Sequence, residues 1–390
     1  MKQNYSRREF IHRSAIVSAG TALLSAAKQP LFAADPVPSR NTPSRGYAAR
    51  DTSGHLSPWA FERRALGDDD ILIDIKFCGV CHSDIHHLRG EWGQEKYPQV
   101  PGHEIAGIVS AVGRNVTRFK VGDRAGVGCM VDSCGKCQSC KQGEEHHCDN
   151  NSTLFTYGTP DPTSPTGITQ GGYSNNIVVR EHFALRLPEK LRLQDAAPLL
   201  CAAITTYSPF ITASIKRGDK VGVAGIGGLG HLAIKLAASK GAEVCAFTTS
   251  PDKANDIRRF GASRVVVVDS LDALKPLQKS LDFMISTIPV NYDVAAYAST
   301  VKPYGNYVQV GMPVKGEVTI KNFTMNRNRV RYSTSMIGGI PQTQEVVDYC
   351  AAHGITPEVQ LINAAEVNEA WNRVTSKQAR YRFVIDAATL

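Results

Sequence analysis

Between Gly79 and Glu104 the chain packs groups that can hold a metal or move a proton: Cys81, His82, Ser83, Asp84, His86 and then the Gly102-His103-Glu104 turn. A soft thiolate, a borderline imidazole and a carboxylate this close are the ligand types of a zinc that keeps one position open for chemistry. Taken alone, the stretch also fits a loop with one buried cysteine and surface histidines. A second group is more specific. Cys134, Cys137, Cys140 and Cys148 follow the spacing C-x2-C-x2-C-x7-C, which suits tetrahedral metal ligation better than a disulfide ladder. Cys78, Cys129, Cys245 and Cys350 read as buried spectators.

A third pattern is a glycine turn. Lys220 to Ala224 is a short apolar strand leading into Gly225-Ile226-Gly227-Gly228-Leu229-Gly230, and His231 to Ser239 continues as an Ala/Leu-rich helix. Strand, G-x-G-x-x-G, helix is the context of a dinucleotide site. Gly225 permits the tight turn, Gly227 the approach of a pyrophosphate and Gly230 helix–strand packing. Gly228 and Leu229 complete the turn, and the phosphates belong on the helix N-terminus. The next strand, Glu243 to Thr248, ends in Thr248-Thr249-Ser250 with Lys253 just beyond, where an NAD site would carry a carboxylate. Small hydroxyls and a cation accept a 2′-phosphate, so NADP(H) is expected over NAD(H).

These groups need a scaffold. At 390 residues the chain has room for two or three domains. With 42% hydrophobic residues and 33 glycines it reads as an ordinary α/β protein. Half of the formal charge of +8 sits in residues 1–34, and the remainder is too thin for a nucleic-acid footprint. Ile71 to Phe77 and Ile105 to Val112 read as strands, with no long amphipathic helix before about Ala196 and Gly79–His103 as a connection. Further on, Val265 to Val268, Phe283 to Ser286 and Tyr307 to Val310 recur at βαβ spacing and predict a doubly wound parallel sheet. Helices over Gln344–Ala352 and Ala365–Val374 and a strand over Arg382–Asp386 close the chain.

Residues 1–34 read as an address. Ser6-Arg7-Arg8-Glu9-Phe10 fits twin-arginine export, and Ser14 to Ala27 is uncharged but shorter than the about 20 residues a stable span needs. Cleavage is expected near Ala34-Asp35, followed by a mobile linker over 35–45, a periplasmic location and no stable membrane anchor. An inefficient signal would leave the protein cytoplasmic. Export of the folded protein would allow metal and nucleotide to be loaded beforehand.

GVCHSD, PGHE with IAGIV after it, the four-cysteine lobe and GIGGLGH, in this order, resemble the zinc-dependent medium-chain alcohol dehydrogenases. PLLCAAITTYSP and SMIGGIPQTQE are most similar to the cinnamyl-alcohol-dehydrogenase branch and the bacterial aldehyde reductases like it. The likeness covers roughly residues 45–390. It implies a GroES-like, mostly β catalytic domain over 46–190, a Rossmann domain over 191–337 and a return to the first domain over 338–390. It places Cys81, His103 and Cys201 on a catalytic zinc, Glu104 as an alternate ligand, and Cys134, Cys137, Cys140 and Cys148 on a structural zinc. Asp84 would orient the His ligand, Ser83 bond the substrate oxygen, His86 pass the proton to solvent and Trp92 wall the substrate pocket. His82, Thr205, Ser335 and Ile337 would touch the cofactor. The implied activity is hydride transfer between NADP(H) and aldehydes or primary alcohols, mainly aldehyde reduction, by a homodimer. A polyol or formaldehyde dehydrogenase, or a silent nucleotide-sensing zinc protein, are the alternatives.

Overall fold

A computed structural model describes residues 40–390. The export signal and its cleavage point lie outside the described residues. The linker expected through Arg45 ends earlier: Thr42–Ala49 is already a strand, paired antiparallel with Leu56–Arg63 from Thr42↔Arg63 to Ala49↔Leu56. Pro43 sits inside it, on a two-stranded ribbon where a missing N–H is tolerated.

The first domain is built on a seven-stranded sheet. Its order is Val359–Asn363, Arg382–Asp386, Asp70–Gly79, Ile105–Val112, Arg124–Val127 and Ala184–Arg186, with Asn176–Arg180 also pairing with Asp70–Gly79. The pairing is antiparallel except between the two C-terminal strands. In the central strand Ile71, Ile73 and Ile75 point into the core while Asp74 and Lys76 do not, the alternation of a sheet packed on one face. The C-terminal strand Arg382–Asp386 joins this same sheet, so residues from the two ends of the chain lie side by side.

The second sheet is wholly parallel, ordered Arg264–Val267, Glu243–Thr248, Lys220–Ala224, Leu281–Ser286, Val301–Gln309 and Arg331–Thr334. In chain order this is 3-2-1-4-5-6, the doubly wound Rossmann arrangement, whose ligand crevice lies beyond the C-terminal ends of the strands. Val221, Val223, Val244 and Ala246 are fully buried, as strands covered on both faces must be.

Three local departures matter. The Gly79–His103 connection contains a seven-residue helix, His82–Leu88. Its polar sequence carries no helical stripe, and it is held instead by Asp84, which accepts from the Cys81 backbone N–H at 2.9 Å. Arg331–Thr334 is too short and polar to read as a strand; parallel pairing with Val301–Gln309 makes it one. The last long helix starts four residues before Gln344, at Ile340, with Pro341 in its first turn, and ends on Gly354 at φ 65°.

Candidate active site

Four buried ligands meet where three stretches of the first domain and its border converge. Cys81 precedes the short helix, His103 and Glu104 precede the strand Ile105–Val112, and Cys201 precedes the helix Ala202–Thr212. Their ligand atoms all lie within 4.8 Å of one another, with His103 Nε2 3.2 Å from Cys201 Sγ. For a tetrahedral zinc with bonds of about 2.0 and 2.3 Å, that edge is about 3.6 Å. His103 Nδ1 sits 3.0 Å from Asp84 Oδ1, so the proton belongs on Nδ1 and the Nε2 lone pair faces the sulfurs. Asp84 is itself fully buried and accepts from Gly102 N at 3.3 Å and Tyr173 Oη at 3.0 Å.

The electrostatics call for a cation. Both Glu104 oxygens are buried without a hydrogen-bond partner, and burial pushes the carboxyl up to about 8 even beside Arg382. Hydrogen bonding to Cys201 draws the Cys81 thiol well below its ordinary range. The Cys201 thiol is held well above its own by hydrogen bonds to Cys129 and Cys81. One shared proton among crowded thiols is what a zinc would displace. The residues fit the metal.

Arg382, which the sequence did not single out, joins the cluster. Its Nη2 lies 3.2 Å from Glu104 Oε1 and its Nη1 donates to Val80 O at 2.9 Å. Burial opposes its charge, but Glu104 and the thiols restore it, so the guanidinium stays protonated. The available signal was an arginine opening an apolar strand, since a buried charge demands a partner. Cys129, read as a spectator, is instead half-buried against Cys201.

Further polar and aromatic groups flank Cys81 on the short helix and beyond it. Ser83 Oγ is 3.6 Å from Cys81 Sγ. His86 stacks between His82, at 4.4 Å, and Trp92, at 5.2 Å. Its Nδ1 pairs with Glu91 while its Nε2 is buried and unpartnered. Burial, with His86 beside it, holds His82 down to about 4. Trp92 Nε1 donates to Pro313 O at 3.3 Å, which ties this wall to the second domain. The next histidine, His87, lies 2.8 Å from Glu95.

The four-cysteine lobe is closed. Cys134 and Cys140 sulfurs are 3.9 Å apart, as are those of Cys137 and Cys148, against about 3.8 Å for the edge of a tetrahedron with zinc–sulfur bonds of about 2.3 Å. Backbone N–H groups of Lys136 and Cys137 lower Cys134 to about 6, while burial lifts Cys140 to about 12. Without metal the lobe cannot hold four thiolates. All ten cysteines are free.

At the glycine turn each glycine has a distinct reason. Gly225 has φ 84°; a Cβ on Gly230 would lie 2.0 Å from Gly225 O; a Cβ on Gly227 would project into open space above the helix Gly230–Ser239. That opening is the cradle for a pyrophosphate. Thr248 Oγ1 accepts from Ser250 N at 3.0 Å, leaving the hydroxyls of Thr249 and Ser250 for a ligand. Lys253 is buried, its Nζ donating 3.1 Å to Ile226 O in the turn rather than standing free at the strand end. Arg380, paired with Asp252, adds a second cation there. Thr205 is buried on the helix after Cys201, Ser335 N donates to Gln309 O, and Ile337 is held at φ 44°, a conformation costly for a β-branched residue.

A buried cluster of two cysteines and one histidine with a neighbouring carboxylate, a closed lobe of four cysteines and a Rossmann glycine turn define a zinc-dependent nucleotide dehydrogenase. Residues 67–189 match the family described as alcohol dehydrogenase GroES-like domain, and residues 228–352 that described as zinc-binding dehydrogenase. The chain is 45% identical to probable cinnamyl alcohol dehydrogenase 3 of Oryza sativa over 87% of its length and 92% of that protein. It is also 45% identical to NADP-dependent alcohol dehydrogenase C 1 of Mycolicibacterium smegmatis, over 88% and 98%. The solved structure of CAD from Helicobacter pylori, complexed with NADP(H), superposes with a TM-score of 0.85 at 41% identity, covering 90% of this chain and 99% of that one. The chain belongs to the zinc-dependent medium-chain alcohol dehydrogenases, in the cinnamyl-alcohol-dehydrogenase-like branch. It is an NADP(H)-dependent zinc oxidoreductase.

Proposed function

We propose that the protein works mainly as a reductase of medium-sized aromatic or aliphatic aldehydes, with the primary alcohols as its reverse substrates. The buried cluster of Cys81, His103, Glu104 and Cys201, with Ser83 beside it, carries this reading. When bound there, zinc supplies a Lewis acid and NADPH the hydride. The chain's own residues do the rest. Cys81, His103 and Cys201 hold the metal, and Asp84 fixes the His103 tautomer. The Ser83 hydroxyl bonds the substrate oxygen and gives it a proton. His86 restores that proton from solvent through Glu91, whose side chain is 27% exposed. Trp92 walls the pocket. Glu104, paired with Arg382, would be a fourth ligand, a carboxylate, available to the metal. Thr249, Ser250 and Arg380 favour the 2′-phosphate.

Zinc-replete protein should oxidise NADPH with benzaldehyde or cinnamaldehyde. No turnover across an aldehyde panel would sink the activity, and preference for NADH would sink the selectivity reading.

Two wider parts of the proposal follow. The edge strand Arg331–Thr334, near exposed Tyr304 and Phe323, supports a homodimer that joins the parallel sheets. Ser6-Arg7-Arg8-Glu9-Phe10 supports twin-arginine export to the periplasm, and full-length protein found only in the cytoplasm would remove that claim.

A further inference from the structure

One group of metal-ligating side chains is used by neither zinc site. Glu144, His146 and His147 present a carboxylate oxygen and two imidazole nitrogens within 4.8 Å of one another. His146 Nε2 lies 3.3 Å from Glu144 Oε2, and the His146 and His147 rings lie with centroids 4.0 Å apart, tilted 42° to each other. The His146 side chain is only 4% exposed, and its Nδ1 is buried with no hydrogen-bond partner. The nitrogen that faces Glu144 is Nε2, so this is the atom that His146 would offer to an ion held with Glu144 and His147.

The backbone that bears them is fixed from the other side. Glu145, between the ligands, is fully buried; its Oε1 meets His182 Nε2 at 2.7 Å and its Oε2 accepts from Ile340 N at 3.0 Å. Thr153 Oγ1 donates to Glu145 O at 2.6 Å, and Cys148 ends the turn in the four-cysteine lobe. The turn Glu145–His147 therefore cannot rotate freely, while Glu144 and His147 remain exposed. Four sulfurs already complete the neighbouring tetrahedron, so that ion has no need of these three groups.

We propose that Glu144, His146 and His147 form an accessory site for a borderline divalent metal ion, zinc among them, beside the structural lobe. Two imidazoles and one carboxylate are a zinc ligand set with a place left for water, and they accept cobalt, nickel or copper equally by type. Ligand atoms about 2.1 Å from one ion stand about 3.4 Å apart, so rotation of the two exposed side chains closes the site. The ion would be solvent-accessible and would exchange more readily than the two held by thiolates.

The test uses the full-length protein with both thiolate sites filled by zinc, and Co2+ as the probe. Wild type is expected to take up one further Co2+ per chain, with weak d–d bands and no thiolate-to-cobalt charge transfer. Glu144→Gln and His147→Gln, both at exposed positions, should each weaken uptake about tenfold or more, since even lost outer partners of a metal site cost about 10–100-fold. Their melting midpoints, measured in parallel, show that the fold is kept. Absence of Co2+ uptake by wild type, unchanged uptake in both variants, or a charge-transfer band placing the cobalt on sulfur would each overturn the site.

Discussion

The two thiolate clusters each gather four candidate ligands, by opposite means. In the lobe all four ligands come from fifteen residues, Cys134 to Cys148, and two of the four are only partly buried. At the catalytic cluster every ligand is buried, and they are drawn from residues 81, 103, 104 and 201. The lobe neutralises its sulfurs with local N–H groups and asks nothing of the rest of the fold. The catalytic cluster instead uses a buried carboxylate and a buried arginine from the last strand, and leaves Glu104 without a hydrogen-bond partner. Such an imbalance suits a site proposed to exchange a ligand, and a staple has no use for it.

Removing a ligand should separate the two. Cys201→Ala is expected to lower kcat by at least ~10³-fold, the upper range for losing one fixed electrostatic group. It should also halve the zinc content while changing the melting midpoint little. Retained turnover in that variant would mean that the buried cluster is not the reacting centre. Cys137→Ala should do the reverse. The melting midpoint is expected to fall by about 10 °C or more, because structural zinc contributes directly to folding. Activity measured at low temperature should survive within a fewfold. Equal losses of activity and stability in both variants would erase the distinction.

The same contrast governs what could be read from the sequence. The lobe was legible because its ligands are local and their spacing is itself the geometry. Five of the six Rossmann strands were legible because they are apolar runs, while the polar edge strand Arg331–Thr334 was not. The buried cluster was only partly so: Cys81 and His103 share one stretch, but nothing local marks Cys201, and the family resemblance supplied it. Arg382, Tyr173 and Glu91 went unread because their roles rest on contacts across 278, 89 and 5 residues, which spacing does not encode. The helix His82–Leu88 is held by the Asp84 cap, which a hydrophobic pattern cannot show.

Within the catalytic region a milder change tests the outward path. Glu91→Gln keeps a side chain of the same size but removes the negative partner of His86. A lowered kcat, by about 10²-fold if proton passage through His86 limits turnover, is expected, with zinc content and NADPH affinity unchanged. The loss should be largest where solvent protons are scarce, at alkaline pH. A uniform loss across pH would show that Glu91 serves only to place Trp92 and the short helix.

The smallest effect probes whether the lobe is only a staple. Glu145 leaves the lobe to accept the backbone N–H of Ile340, the first residue of a fourteen-residue helix, and also holds His182. Immediately before that helix lie Ile337, strained at φ 44°, Gly338 and Gly339. There is no slack between them, because a Cβ on Gly339 would come within 1.5 Å of Gly143 O in the lobe. A carboxylate at a helix N-terminus contributes about 0.3–1 kcal/mol, up to ~2 kcal/mol when partly buried. Glu145→Gln keeps an acceptor but not the charge, so a loss near 1 kcal/mol, about fivefold in an equilibrium, is expected. If Ile337 touches the cofactor, that loss should appear as a raised KM for NADPH with kcat and both zinc ions retained. A lower melting midpoint with an unchanged KM would confine Glu145 to stability. The lobe would then be a staple alone, and the helix at Ile340 would owe its position to the second domain.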